Sequence, residues 1–303
     1  MITKLTELIY KAKNHTPRTI AVAVAEDKAV LLSLKDASQR GIIDPILIGN
    51  QKKIESIAQS IQFDIHNIRI IHTQASDDEA ARLAVTMVRS GEAQILMKGM
   101  IGTSTLLKAV LHKEFGLRKG EVLSHVAFFE SPHYHKIVCV TDVAMNIAPD
   151  FTTKVHIVNN AVEACHRIGI ENPKVAVVAA VETVESKMEA TVHAAMLRVM
   201  NERKQIKGCI VDGPLALDNA INKEAALHKG IESDVAGDCD VIVVPNIESG
   251  NILYKSLNFL GGAEVAAVIM GASAPIVLTS RSDNEKSKLL SIALAASMTK
   301  QTL

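Results

Sequence analysis

At 303 residues, with 48 % hydrophobic and 22 % charged side chains, the chain is too long for one ordinary core and too apolar for disorder, so it reads as a globular pair of domains. Lysine plus arginine equals aspartate plus glutamate at 33 each, and no five like charges adjoin, which argues against a nucleic-acid-binding face. Aromatics are 3 % and tryptophan is absent, so the stacking platforms of single-strand binders are missing too.

The opening "MITKLTELIYKAKNHTPR" is mixed and charged, without the continuous apolar stretch of a signal peptide, and no run reaches membrane-spanning length. Strand-like runs then follow at 19–25, 44–49, 68–73 and 93–99, separated by helical patterns near 27–40, 51–60, 76–90 and 103–115. Apolar runs alternating with helices predict a parallel sheet covered on both faces. At Ser124 the rhythm changes: "SHVAFFES" and "KIVCVTDV" are separated by only "PHYH", too short for a helical crossover, and predict an antiparallel hairpin. Alternation resumes with helices at 151–168, 189–204, 222–230 and 250–260 and strands at 174–181, 208–214, 240–246 and 264–271. A last strand at 275–279 and a helix at 283–299 close the chain. The four cysteines, Cys139, Cys165, Cys209 and Cys239, lie far apart in apolar runs without a CxxC pair, and are expected to be reduced core residues of a cytoplasmic protein.

In open parallel sheets ligands sit beyond the carboxyl ends of the strands, so polar strand ends are the places to look. In "ILMKGMIGTSTLLKAV" Gly99 and Gly102 allow close backbone approach. Thr103 and Ser104 open a helix whose free amides suit an anion, and Lys98 adds a charge. The stretch is neither GxGxxG nor a Walker loop. It reads equally as an ordinary turn with Thr103 as N-cap. "VTDVAMNIAPDFTTK" brings Asp142 and Asn146 to a strand end, with Asp150 or Thr152 available to cap the next helix. "VDGPLALD" and "VPNIESGNILYK" add further polar ends, among them Asn251.

In "APIVLTSRSDNEKSKLLSIALA" Ser282 and Glu285 match a capping box, but Arg281 is a cation where the helix dipole repels one, unless an anion sits there as well. Three histidines crowd "SHVAFFESPHYH". His133 and His135 fall in the hairpin turn without a fourth ligand at a zinc spacing, so no metal is expected; His125, at a strand start, is the catalytic candidate.

Taken together, "KGMIGTSTLLKAVL", "LSHVAFFE", "TDVAMNIAPD", "AVETVESKMEAT", "VDGPLALDNA", "HKGIESDVAGDCDVIVVPNIESGNILYKSL" and "APIVLTSRSDNEKSKL" resemble the phosphate acetyl/butyryltransferase family, most closely its butyryl-transferring branch. The resemblance runs in order from about Ile95 to Leu294, and before that only the alternating rhythm matches. It implies two α/β domains with largely parallel sheets and an active-site cleft between them, an architecture like that of isocitrate and isopropylmalate dehydrogenases. Residues 1–125 and 280–303 would form the first domain, with 126–279 inserted before the last helix. It further implies a homodimer or higher homo-oligomer that moves a short acyl group between coenzyme A and inorganic phosphate. No bound cofactor and no covalent acyl-enzyme are implied, since acyl-CoA and phosphate are the substrates.

By the same resemblance Ser280 lies near the thiol or carbonyl and Arg281 near phosphate, while Gly102, Thr103 and Ser104 belong to the anion-holding loop. Lys108 stands nearest to where acetyl-transferring members carry an arginine, and a point charge does not replace a planar fork neutrally. Those members have an aspartate seven residues after the motif serine to take the thiol proton. Here that position is Ser287, and Asp283 or Glu285 is left to substitute, with Asp283 preferred. Two other readings stay open: an NAD(P)-dependent dehydrogenase of similar fold, although neither a GxGxxG nor paired metal-binding acids are found, and a sensor of CoA or acyl phosphate.

Overall fold

Backbone groups of apolar runs buried on both faces must find partners, and the strands of this chain find them in one another. The structure is a computed structural model that describes residues 2–14, 16–73, 76–279 and 283–299. In chain order the elements begin α1 (Thr6–Lys13), β1 (Arg18–Ala23), α2 (Lys28–Gln39), β2 (Ile43–Gly49), α3 (Gln51–Ser60), β3 (Arg69–His72), α4 (Asp77–Arg89), β4 (Ile95–Lys98) and α5 (Thr103–Val110). They continue with β5 (Ser124–Glu130), β6 (Val138–Thr141), α6 (Phe151–Ile168), β7 (Lys174–Val178), α7 (Glu189–Glu202), β8 (Ile210–Leu215), α8 (Leu217–Ile221) and α9 (Lys223–His228). The last are β9 (Val241–Val243), α10 (Ile247–Lys255), β10 (Glu264–Met270), β11 (Ile276–Val277) and α11 (Glu285–Met298).

Two compact units result, one holding residues 6–121 and the chain from Ala266 onward, the other holding 122–265 with the first residues through Leu5. Their seams fall at 121/122 and 265/266, where the sequence reading has 125/126 and 279/280. The difference has a pairing cause: β10 joins β11 antiparallel through Ile269 and Ile276, and β11 runs parallel to β4, so 266–279 is stitched into the sheet of the first unit. That sheet has the order β3-β2-β1-β4-β11-β10, parallel except at β10. The second unit has β5-β6-β9-β7-β8, with the expected β5–β6 hairpin antiparallel and the rest parallel.

Helices differ from expectation where the local signal is thin. α1 was not expected, because its buried side chains are only Leu8 and Ala12. The helix predicted over 222–230 is α9, capped by Asn222, which accepts from the Ala225 amide at 3.0 Å, and the short α8 precedes it where no helix is predicted. The helix of 250–260 begins at Ile247, capped by Asn246, and ends in a π-helical turn. α11 is buried from Ser287 to Met298 on every side, as a helix of Leu, Ala, Ile and Ser permits. Its cap is Asn284, whose Oδ1 accepts from the Ser287 amide at 2.8 Å; the Ser282–Glu285 capping box involves Ser282, which lies outside the described residues. Among the described residues no helix is long and apolar enough to cross a membrane.

In the second unit α6 and α7 bury a pair of bases. Lys154 Nζ donates to His193 Nδ1 at 3.1 Å, and Glu189 lies 3.4 Å from Nε2. Burial, and then the charge of Lys154, hold the His193 pKa below its ordinary 6.5. Below 6.5 the unfolded chain takes up a proton that the folded chain refuses, so this site removes stability as pH falls through that value. His193→Asn, which keeps an acceptor near Nδ1, should therefore lose less stability than the parent between about pH 7.5 and about pH 5.5, measured by urea unfolding. Parallel pH profiles for the two proteins would show that the histidine plays no such part.

Candidate active site

In the first unit, β1, β4 and β11 end side by side. Lys98 is the last residue of β4 and is buried, and Gly99 follows with its amide donating to Ala23 O at 2.9 Å. Gly102, not Thr103, is the N-cap of α5. No side chain caps that helix, so Thr103 and Ser104 enter its first turn exposed. This replaces the Thr103-cap reading and leaves the first-turn amides for solvent or a ligand. Lys108 is exposed in the last turn of α5, about 7.5 Å further along the axis, where it complements the negative end of the helix. Asp283 is half-buried and its carbonyl accepts from Lys288 Nζ. Ser280 and Arg281, like Ser282, lie outside the described residues. A cavity of about 160 Å³ at these strand ends is lined by Asp27, Val30, Lys98, Gly99, Thr279 and Lys288, among others.

In the second unit the hairpin brings His125 and Asp142 together. Asp142 is 3 % exposed, and both of its oxygens serve its own chain. Oδ1 accepts from the amides of His125, Ala144 and Met145 at 3.0, 3.1 and 3.2 Å. Oδ2 accepts from the amide and Nδ2 of Asn146 at 2.9 and 2.6 Å. A carboxylate so engaged orders its loop, and the structure thus gives Asp142 a positioning part rather than the substrate contact inferred from sequence. Asn146 Nδ2 also donates to Leu123 O at 2.8 Å. Asn251 is exposed in the middle of α10, its Nδ2 donating to Val143 O at 3.3 Å. The His125 ring is buried edge-on to Tyr254 at 6.0 Å, and Tyr254 packs edge-on to Phe129 at 5.3 Å.

Sequence reasoning missed Asn160, Tyr254 and Lys288. Asn160 Nδ2 donates to Val122 O and Ser124 Oγ, both at 3.0 Å, and so fixes the start of β5 next to His125. A polar residue in the apolar pattern of α6 was the available signal. His135 pairs with Asp238 at 2.8 Å, and Lys136 and Lys174 bond the same carboxylate. Among the described residues no three His, Cys, Asp or Glu side chains are placed to hold a metal ion. All four cysteines are free and buried, and burial pushes their thiols up, Cys209 to about 11 and Cys239 to about 12.

A family model described as phosphate acetyl/butaryl transferase matches residues 4–82 and 73–296. The chain belongs to that family. The phosphate acetyl/butaryl transferase match starts at residue 4, so it takes in the N-terminal ninety residues, where the motifs gave nothing but rhythm. Within the family the chain is 47 % identical over 296 residues to the phosphate butyryltransferase of Clostridium acetobutylicum, covering 98 % of each. It is 52 % identical over 292 residues to a probable phosphate butyryltransferase of Bacillus subtilis, covering 96 % of this chain and 97 % of the relative. The crystal structure of a branched-chain phosphotransacylase from Enterococcus faecalis V583 superposes with a TM-score of 0.83 at 36 % identity, over 93 % of this chain and 98 % of that one.

Proposed function

We propose that this chain transfers a short acyl group, butyryl or one of similar size, between coenzyme A and inorganic phosphate. The observation that carries this reading is the 47–52 % identity, over nearly the whole chain, to proteins named phosphate butyryltransferase. In the direction of phosphorolysis a phosphate oxygen attacks the thioester carbonyl, the carbonyl becomes a tetrahedral oxyanion, and its collapse breaks the C–S bond and releases the CoA thiolate. Nothing is attached to the protein, so catalysis is positioning and charge stabilisation. Ser280 serves the thiol or the reacting carbonyl, and Arg281 holds phosphate with the N-cap Gly102 and the first-turn amides of Thr103 and Ser104, while His125 is the catalytic candidate of the second unit. Asn146 and Asn251 offer carboxamides to the acyl-CoA. In reverse, Asp283 takes the thiol proton. On this reading the protein works in the cytoplasm as a homodimer or larger homo-oligomer.

The test is phosphate-dependent release of CoA from acetyl-, propionyl-, butyryl-, valeryl- and isobutyryl-CoA, followed with a thiol-reactive dye. The buried thiols of the protein stay out of that readout. Release with the four- and five-carbon chains is expected, and its absence with all five would overturn the proposal. Binding of NAD in a calorimeter would favour the dehydrogenase reading, and CoA binding without turnover would favour a sensor.

A further inference from the structure

Successive residues at the start of β5 are held by side chains from other parts of the second unit. Asn160 Nδ2, in the middle of α6, donates to Val122 O and to Ser124 Oγ, both at 3.0 Å. Asn146 Nδ2 donates to Leu123 O at 2.8 Å, and Asp142 Oδ1 accepts from the His125 amide at 3.0 Å. The register with β6 begins only at Ala127, opposite Val140, so these bonds fasten the stretch 122–125 ahead of the β5–β6 ladder. Val122 is also the residue at which the chain enters this unit.

Asp142 and Asn146 serve the loop 142–146 at the same time, whereas Asn160 gives both of its N–H groups to β5. Val122 O can only accept, which fixes the way the Asn160 carboxamide faces. Asparagine is a poor helix former inside an 18-residue helix, and its neighbours Ile157, Val158, Ala161 and Val162 are buried and apolar. The contact with β5, not the helix, therefore accounts for an asparagine here. What that contact places is His125: its buried ring meets Tyr254 edge-on at 6.0 Å, in the outer part of the range for such pairs. Such a contact limits the tilt of the ring more than its position, and the position follows the backbone that carries it.

We propose that Asn160 is a positioning residue for the reaction, setting the place of the His125 imidazole through the backbone of Val122–His125. The inference rests on the acyl-transfer reading with His125 as its catalytic candidate in the second unit. It adds to that reading a residue of α6 that acts without meeting the substrate.

The test is a double-mutant cycle on the full chain, Asn160→Asp in the parent and in His125→Gln, read as phosphate-dependent release of CoA from butyryl-CoA. The substitution keeps the shape of the side chain and turns an oxygen toward Val122 O, where two acceptors repel. In the parent kcat is expected to fall about tenfold, while KM for phosphate and for butyryl-CoA stays within about twofold. In His125→Gln, already slower, the same change should alter kcat by less than about twofold. An equal fall in both backgrounds, no fall in the parent, or a His125→Gln protein with the parent's kcat overturns the proposal. The Cε1–H NMR signal of His125, assigned by its loss in His125→Gln, reads the same coupling without turnover. It should move in Asn160→Asp and in Asn160→Ala while the signal of His66, in the first unit, stays in place. An unmoved His125 signal overturns the proposal. A moved signal in a parent that transfers no acyl group supports the placement of the ring and removes the acyl-transfer reading alone. Asn160→Ala takes the place of Asn160→Asp in the cycle if the latter does not fold, and failure of both to fold overturns the proposal, since Asn160 then holds the fold rather than the ring.

Discussion

Asp142→Ala is expected to destabilise the second unit by about 3–5 kcal/mol, the range found when a buried charge-centred network loses its central partner. Five donors converge on this one carboxylate, from His125, Ala144, Met145 and, twice, Asn146. Each charge-assisted bond contributes about 1.5–3 kcal/mol, but they do not add in full, because they share one carboxylate and water can replace part of them at the exposed Ala144. Asp142→Asn separates acceptor capacity from charge. Its oxygen can still serve His125, Ala144 and Met145, but its NH2 then faces two donors of Asn146, so a smaller loss is expected. Urea unfolding measures both. If Asp142→Ala unfolds within about 1 kcal/mol of the parent, the loop 142–146 is held by something other than this carboxylate.

The same loop shows which parts of the molecule are readable in advance. The β5–β6 hairpin follows from four residues between two apolar runs, and α6 from Phe151 to Ile168 matches its predicted bounds, because both signals are local. The role of Asp142 is not local: it depends on the amide of His125, seventeen residues earlier in the chain, coming alongside in the hairpin. Caps were recognised by type and misplaced in position. Thr103 gave way to Gly102, since serine, threonine, asparagine and glycine all compete for that place within two or three residues. Lys288 was hidden for another reason. α11 is apolar or small on all sides, so its pattern assigns no face, and only the packed sheet shows that a lysine in its second turn lines a cavity. His125, Asn146 and Asn251 could be picked out as polar strand ends, whereas their actual partners, Tyr254, Leu123 O and Val143 O, come from other elements.

Gly99→Ala is expected to damage activity more than any other single methyl group added to the first unit. A Cβ at this position would lie 2.0 Å from Val24 O and 2.7 Å from Ala23 O, and both are backbone atoms that no rotamer change can move aside. The glycine also donates to Ala23 O, and Met100 donates to Val24 O at 2.6 Å, so the ends of β1 and β4 are tied where the methyl would force them apart. Val24 itself is held at φ 57, a costly conformation for a β-branched residue, which leaves its carbonyl little freedom to retreat. Relief requires a shift of about 1 Å, with an expected cost of about 2–4 kcal/mol in stability. Because Lys98 and Gly99 line the cavity at the carboxyl ends of β1, β4 and β11, the same shift deforms it, and kcat/KM should fall about 100-fold. Gly91→Ala is the control: at φ 82 with nothing within 4 Å, it pays only the left-handed conformation, about 1–2 kcal/mol, and should keep its activity once folded. Urea unfolding and steady-state rates on the two variants separate the cases. A Gly99→Ala protein with the parent's kcat/KM would mean that the ends of β1 and β4 take no part in the reaction.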